Sequence, residues 1–567
     1  MIFYNKNKVL LGISLFLIIF LAIFSFFPKE KKNTLLENTG EIYFSKESGF
    51  YKEPFELEIK VKTGAVYYTL DGTRPDKNSI KYEDPILITD ASDNDNIYSM
   101  RTDVSTGFDK EEIEKISFDY PGYRVPDYKV DKATVIRAVS YDELGNCSDE
   151  KTAVYFVNYA DKTGYEGMNI LSIVTEPSNL FDYETGIYVT GKSYDEYVDK
   201  YRGGDEYYWR EEFWALWLAN YRNRGIEWER KAECQFFDET GKMILQQKCG
   251  IRVRGGISRG YNPKSLNIYA RKEYDGNKVL QADLFGTGYY PSAVTLFQGG
   301  NDVQTKAKDY IVSTTVKNFN VTTMNYKPYV LFLNGEYWGV YWLNEKYNEE
   351  YFVHQYGVSE NDVIMIKGGT LEVGEEDDLK YYSLMYEFCS QSDITKEINY
   401  EKVCEMIDIE SYIDYYAIMI YIGRSSDWPK ANFGLWRTKK TDNSPYGDDK
   451  WRWIIWDLNS AGFSISLDSI EYVMENDAMF KNMMTNDTFR AELFLRIEEL
   501  ADTVFEAEKM NGILAEFQNF MTEPLRKHNK RFLGDDSLIN FYEEMEKLRI
   551  FFEERKAYLI PVLDKYR

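Results

Sequence analysis

Residues Tyr421 to Phe463 read YIGRSSDWPKANFGLWRTKKTDNSPYGDDKWRWIIWDLNSAGF, and the order of residue types there narrows the fold more than any other stretch. The apolar run Met406 to Ile422 is spaced as a helix. It leads into a loop holding Asp427, and Asn432 lies five residues on. Two aromatic strands about a polar turn come next, and Asp457 closes the second. Hard oxygen donors thus reach one place from two loops, as a divalent cation between phosphates requires. A separate carboxylate can orient a hydroxyl in a transfer that depends on positioning. An Asp and an Asn at this spacing also occur in plain turns, so the order of elements carries the reading.

Composition removes several alternatives. A chain of 567 residues is too long for one core. Lys plus Arg is 68 against 93 Asp plus Glu, a net charge of −25, which argues against nucleic acid as a partner. The two histidines, His354 and His528, lie far apart, which argues against a Ser-His-Asp triad or a multi-His zinc site. The five cysteines are too few and too scattered for a disulfide framework. Cys234 and Cys249 flank a DETGK turn, where they either face each other across a hairpin or stay buried as apolar thiols.

The chain divides readily. Val9 to Phe27 carries no charge over 19 residues. At about 1.5 Å per residue it reaches about 28 Å, enough for a bilayer core. It is expected to be an uncleaved anchor, with residues 1–8 as a cytoplasmic tail and the bulk of the chain outside. Residues 28–40 read as a linker. From 41 to 158 short alternating runs (FELEIKVK, AVYYTL, ATVIRAVSYD) separated by turns such as DGTRPD predict an immunoglobulin-like β-sandwich, with an insertion at Asp90–Tyr128. It is expected to fold independently as a spacer, with polysaccharide contact as the alternative role. Residues 168–567 form the second unit, β-rich at first and helical from about 484, with Pro524 and Pro561 punctuating the helices. Residues 193–228 read as a helical insertion.

Two further strings carry chemistry. In GIRVRGGISRGYNPKSLNIYAR a strand runs into Gly255-Gly256, and Lys264 precedes the next strand. Small residues let backbone N–H groups approach phosphate, although an ordinary glycine turn reads the same way. Arg252, Arg254 and Arg259 add positive charge there. YVLFLNGEYWGVYWLNEKY predicts a hairpin about Asn334-Gly335 that ends at Glu345, a candidate partner for Lys264 or a solvated strand end. Asp302 and Arg424 are weaker candidates.

The loop Asp, the Asn five on and the Asp after a hairpin follow the order used by protein kinases. The strings GIRVRGG, PKSLNIYAR, DWPKANFGLWR and WRWIIWDLNSAGF resemble the CotH family of spore-coat kinases. VYYTLDGTRPDKNSIKYEDPILIT resembles the chitobiase C-terminal-type module of secreted proteins. The resemblance implies an α+β chain with an N-terminal transmembrane helix, a β-sandwich and an atypical two-lobed kinase-like domain. It implies ATP with Mg²⁺ or Mn²⁺ held by Asn432 and Asp457, and nucleotide phosphates held by Lys264, oriented by Glu345, with Arg254 and Arg259. Asp427 would position the Ser hydroxyl of a surface or spore-coat protein. Arg424 stands where kinases carry His-Arg, and Leu-Asn follows Asp457 in place of Phe-Gly. The alternative is a pseudokinase or a glycan-binding surface scaffold.

Overall fold

The computed structural model describes residues 40–106, 124–201 and 217–567. The expected membrane span at 9–27 lies outside them. Among the described residues no helix is long and apolar enough to cross a membrane.

The first module is made of β1 (Ile42–Phe44), β2 (Gly49–Tyr51), β3 (Phe55–Leu57), β4 (Ile59–Val61), β5 (Ala65–Thr69), β6 (Ile80–Lys81), β7 (Ile86–Ile88), β8 (Thr134–Tyr141) and β9 (Lys151–Val157). One sheet has the order β2-β9-β8-β5-β6, and β1-β4 and β3-β7 form two small sheets. Leu57, Ile59 and Ile88 of the small sheets share a core with Ile136, Ala138, Ala153 and Tyr155. The alternate residues of β8 and β9 do not face water. Val135, Val154 and Phe156 enter the core of the second unit, where the Phe156 ring meets Phe237 at 5.7 Å and Phe332 at 5.0 Å. The module is therefore no separate bead, contrary to the reading of it as an independent spacer. Both faces of its central strands need cover.

The second unit opens with a closed barrel. Its strands are β10 (Asn169–Val174), β11 (Arg230–Phe237), β12 (Met243–Val253), β13 (Leu266–Tyr269), β14 (Ala293–Phe297), β15 (Tyr326–Leu333) and β16 (Glu336–Glu345), in the order β10-β11-β12-β13-β14-β16-β15. β10 and β15 run parallel and the other pairs antiparallel. Leu171, Phe236, Ile251, Ile268, Leu296 and Leu343 belong to its core. The Asn334-Gly335 turn has φ of 46° and 87°, the doubly left-handed geometry that a tight hairpin needs. Cys234 pairs with Gln247 and Cys249 with Ala232, so the two thiols sit diagonally, buried and free.

Beyond the barrel, β17 (Val363–Lys367), β18 (Thr370–Val373), β19 (Gly434–Thr438) and β20 (Arg452–Ile454) make an antiparallel sheet in the order β18-β17-β19-β20. Helices used below are α1 (Lys308–Thr315), α2 (Leu379–Gln391), α3 (Ile409–Tyr421), α4 (Ser469–Asn476), α5 (Asp487–Asp502), α6 (Ala507–Phe532) and α7 (Ile539–Leu563). From Ser411 to its end α3 is buried on every side, as an evenly apolar helix must be. Pro524 and Pro561 lie inside α6 and α7 and do not end them. The long apolar faces of these helices, packed into the main core, outweigh the single missing N–H at each proline.

Candidate active site

The site begins where α3 stops. Arg555 of α7 is fully buried; its Nε donates to the Tyr421 carbonyl at 2.9 Å and Nη2 to that of Ile420 at 2.8 Å. Its Nη1 reaches the Ile465 and Leu467 carbonyls, so one guanidinium satisfies the end of α3 and the segment past Asp457. At Gly423, φ 64°, a Cβ would lie 2.8 Å from the Ser464 carbonyl oxygen. The loop then delivers Asp427, with a side chain 30% exposed. Asp427 Oδ2 accepts from Asn432 Nδ2 at 2.5 Å and from Ser460 Oγ at 2.9 Å. Its backbone carbonyl accepts from the N–H groups of Ala431 and Asn432. The Asn432 amide nitrogen thus faces Asp427, which turns its oxygen the other way.

Asp457 follows β20 in a left-handed conformation, φ 54° and ψ 57°. Several contacts hold a non-glycine residue there. The Leu458 N–H donates to Asp309 of α1 at 2.7 Å. Asn459 donates through Nδ2 to Asp457 and accepts from the Asn301 N–H at 2.9 Å. Arg424, fully buried, donates from Nη2 to the Asp457 carbonyl at 2.8 Å and to Asp427 Oδ1 at 3.4 Å. Nη1 reaches the Trp456 carbonyl at 3.3 Å. One guanidinium thereby joins the Asp427 and Asp457 loops.

The cations are arranged differently from expectation. Lys264 is 0% exposed, and its Nζ donates to the Arg259 and Tyr261 carbonyls and lies 3.7 Å from the Tyr221 ring centre. Burial, with Arg222 and Arg259 nearby, holds its ammonium far below the usual lysine range. Glu345 accepts instead from the backbone and side-chain nitrogens of Asn325, and burial raises its carboxyl. The expected Lys264–Glu345 pair is not made: the lysine folds back into its own glycine loop. Arg259 is buried too, donating to the carbonyls of Gly255, Tyr221 and Asn223, and burial lowers it to about 10. Arg254 is half-buried, and its charge is felt at Lys367, the last residue of β17. Burial lowers the Lys367 ammonium; Arg254 adds to the fall and Asp457 opposes it. Lys367 Nζ lies 4.2 Å from the Trp456 ring centre. Asp302 caps the approach to α1 by accepting from the Ala307 and Lys308 N–H groups, so it serves structure.

Sequence reasoning missed Ser460, Asp309 and Lys367. Ser460 lies three residues past Asp457, and Lys367 ends the apolar run VIMIK before two glycines, so both left a local signal. Asp309 left none, because only the packing of α1 brings it to Leu458. Among the described residues no three His, Cys, Asp or Glu side chains gather as metal ligands. The donor set is one carboxylate, Asp457, and one amide oxygen, Asn432. That suits Mg²⁺, which takes one or two carboxylates and completes its shell from phosphates and water.

A family model described as CotH kinase protein matches residues 251–559, more than half of the chain. The chain belongs to the CotH kinase protein family. The CotH match begins within β12, so the first barrel strands precede it. A second model, described as Fn3 associated, matches residues 55–155, where the sequence resembles the chitobiase C-terminal type. No curated protein matches the chain. Membership of the CotH family makes an atypical kinase the activity class, with ATP and a divalent metal as its general requirements.

Proposed function

We propose that this chain is a membrane-anchored kinase that moves the γ-phosphoryl group of ATP onto Ser hydroxyls of a surface or spore-coat protein. The observation that carries the reading is Arg424, whose buried guanidinium binds both the Asp427 carboxylate and the Asp457 backbone. The acceptor-side carboxylate and the metal-side loop are thereby kept in one register, and such transfer rests chiefly on positioning. Asp427 orients the acceptor hydroxyl. As the Ser oxygen bonds to phosphorus, the bond from phosphorus to the β,γ-bridging oxygen breaks. ADP leaves with that electron pair, and the hydroxyl proton passes to Asp427 and on to solvent. Asn432 and Asp457 would hold the divalent cation, which neutralises charge on the transferred group. Arg254 and Lys367 are the cations assigned to the phosphates, while Lys264 and Arg259 shape the glycine loop beside them. Residues 9–27 anchor the chain, with residues 1–8 inside the cell and the chain after about residue 27 outside it; protease added to intact cells should then digest all but a small stub.

The test is phosphate incorporation beside a nucleotide titration. Asp427→Ala should abolish transfer to a Ser acceptor and leave ATP affinity within about twofold, because Asp427 acts on the acceptor. Transfer at the wild-type rate would remove Asp427 from the mechanism. A wild-type chain that binds ATP and phosphorylates nothing would favour the scaffold reading.

A further inference from the structure

Beside the Asp427 loop lies a cavity of about 270 Å³ that the transfer chemistry does not use. Pro429 and Lys430, just after Asp427, form one wall. Tyr382 and Tyr386 of α2, Tyr416 of α3, Phe433 and Trp453 supply aromatic walls. The Gly368-Gly369 turn between β17 and β18 closes another side, so near the Asp427 loop that a Cβ on Gly368 would lie 2.5 Å from the Ala431 carbonyl oxygen. Asp477 also lines the cavity, at 8% exposure. Its carboxylate accepts from the Tyr416 hydroxyl, from the Met479 N–H at 3.0 Å and, at the limit of a hydrogen bond, from the Tyr386 hydroxyl. These donors are all neutral.

A desolvated carboxylate without a cation is costly, and burial pushes the Asp477 carboxyl above its usual range. Buried Asp414 and Asp378 pair with Arg496 and Lys439, whereas Asp477, like Asp309 and Glu345, meets only neutral donors, and of these three it is Asp477 that lines this cavity. A pocket with aromatic walls and an anion suits a ligand that carries a positive charge on an apolar stem. Lys430, the cation among its lining residues, is exposed. The cavity also adjoins the reaction centre mechanically: Tyr472 of α4, one turn before the lining residue Asn476, donates to the Trp428 carbonyl at 3.0 Å.

We infer that this cavity is an acceptor-docking site, in which a Lys or Arg side chain of the substrate polypeptide reaches Asp477 and sets the distance to the Ser presented at Asp427. The inference rests on the kinase reading for its biological use, but the pocket can be tested without it. The chain's net charge of −25 would steer the same class of partner.

The experiment uses the full chain and Ser peptides carrying one Lys at varied spacing from the Ser, beside the same peptides with norleucine. Fluorescence anisotropy gives peptide affinity, and phosphate incorporation gives kcat and KM. Wild type should favour the best-spaced Lys peptide over its norleucine twin by about tenfold in Kd and KM, with kcat little changed, as one charge-assisted contact provides. Asp477→Asn retains a side-chain oxygen for the Met479 N–H and should erase that preference while treating the norleucine peptide as wild type does. A Lys preference that survives in Asp477→Asn, or none in wild type, overturns the inference. The wild-type comparison needs no variant, so a misfolded Asp477→Asn leaves the proposal open to refutation. Lys-dependent binding lost in Asp477→Asn, with no transfer by either protein, would uphold the pocket and overturn the kinase reading instead.

Discussion

Asp309 shows how one buried side chain couples the metal loop to pH. It accepts from the Leu458 N–H through Oδ1, and its other oxygen has no hydrogen-bond partner. Burial, with Asp457 adding to it, raises the carboxyl from 3.8 to about 7. A raised carboxyl binds its proton more tightly in the folded chain than in the unfolded one. Its contribution is therefore most favourable below pH 3.8, declines as pH rises from there to about 7, and is level above. Asp309→Asn keeps an acceptor for Leu458 and removes the titration. Urea unfolding at several pH values should show the variant gaining on wild type between pH 4 and 7 and holding that gain at pH 8. A constant difference across the range would show that Asp309 does not titrate there. Lys306 is the opposite case: burial lowers it from 10.5 to about 7, so its penalty is complete below pH 7 and is relieved as pH rises towards 10.5. The sign of each effect follows from burial, which the local sequences KDYIVSTT and NDVQTK do not display.

At the scale of elements, two devices hold the frame. The Asn334-Gly335 turn places Gly335 at φ 87°, and a Cβ there would meet the Ala133 carbonyl oxygen at 2.6 Å. Gly335→Ala should lower stability by about 2 kcal/mol through left-handed strain and the clash together, read from the shift in the urea midpoint. Arg555 is the second device. Arg555→Met would keep much of the stem's packing and leave the carbonyls of Ile420, Tyr421, Ile465 and Leu467 without their donor. A loss of about 3 kcal/mol is expected, with ATP affinity falling in a chain that still folds, because both active loops lose their common anchor. An unfolding midpoint equal to wild type would show that water replaces the guanidinium. The hairpins at 326–345 and 434–454 were legible from alternation and turn residues. The continuity of α6 and α7 through proline was not, since local propensity argues the other way and only burial of their faces decides it.

At the scale of the whole molecule, the first module and the barrel are welded. Glu336 of β16 accepts from the N–H groups of Ile97, Tyr98 and Ser99, and Ala133 donates to the Gly335 carbonyl at 2.8 Å. Lys527 of α6 pairs with Asp131, and Arg531 donates to the Arg124 carbonyl at 2.7 Å. A chain beginning near Asp161 would bare Phe237, Phe332 and Tyr337 and strand the Glu336 carboxylate, so it should aggregate or melt well below the full chain in a thermal scan. An equal midpoint for the two would restore the independent-spacer reading. Sequence alone determined the order of elements around Asp427, Asn432 and Asp457, because helix periodicity, strand alternation and turn chemistry are all local. It could not decide which cation faces the site. Whether Lys264 points to a ligand or onto the Arg259 and Tyr261 carbonyls of its own loop, and whether Asp309 of α1 reaches the Leu458 N–H beside Asp457, depends on how the barrel loops, α1 and the Asp457 loop pack. Contacts between residues that far apart in sequence exist only once the chain has packed.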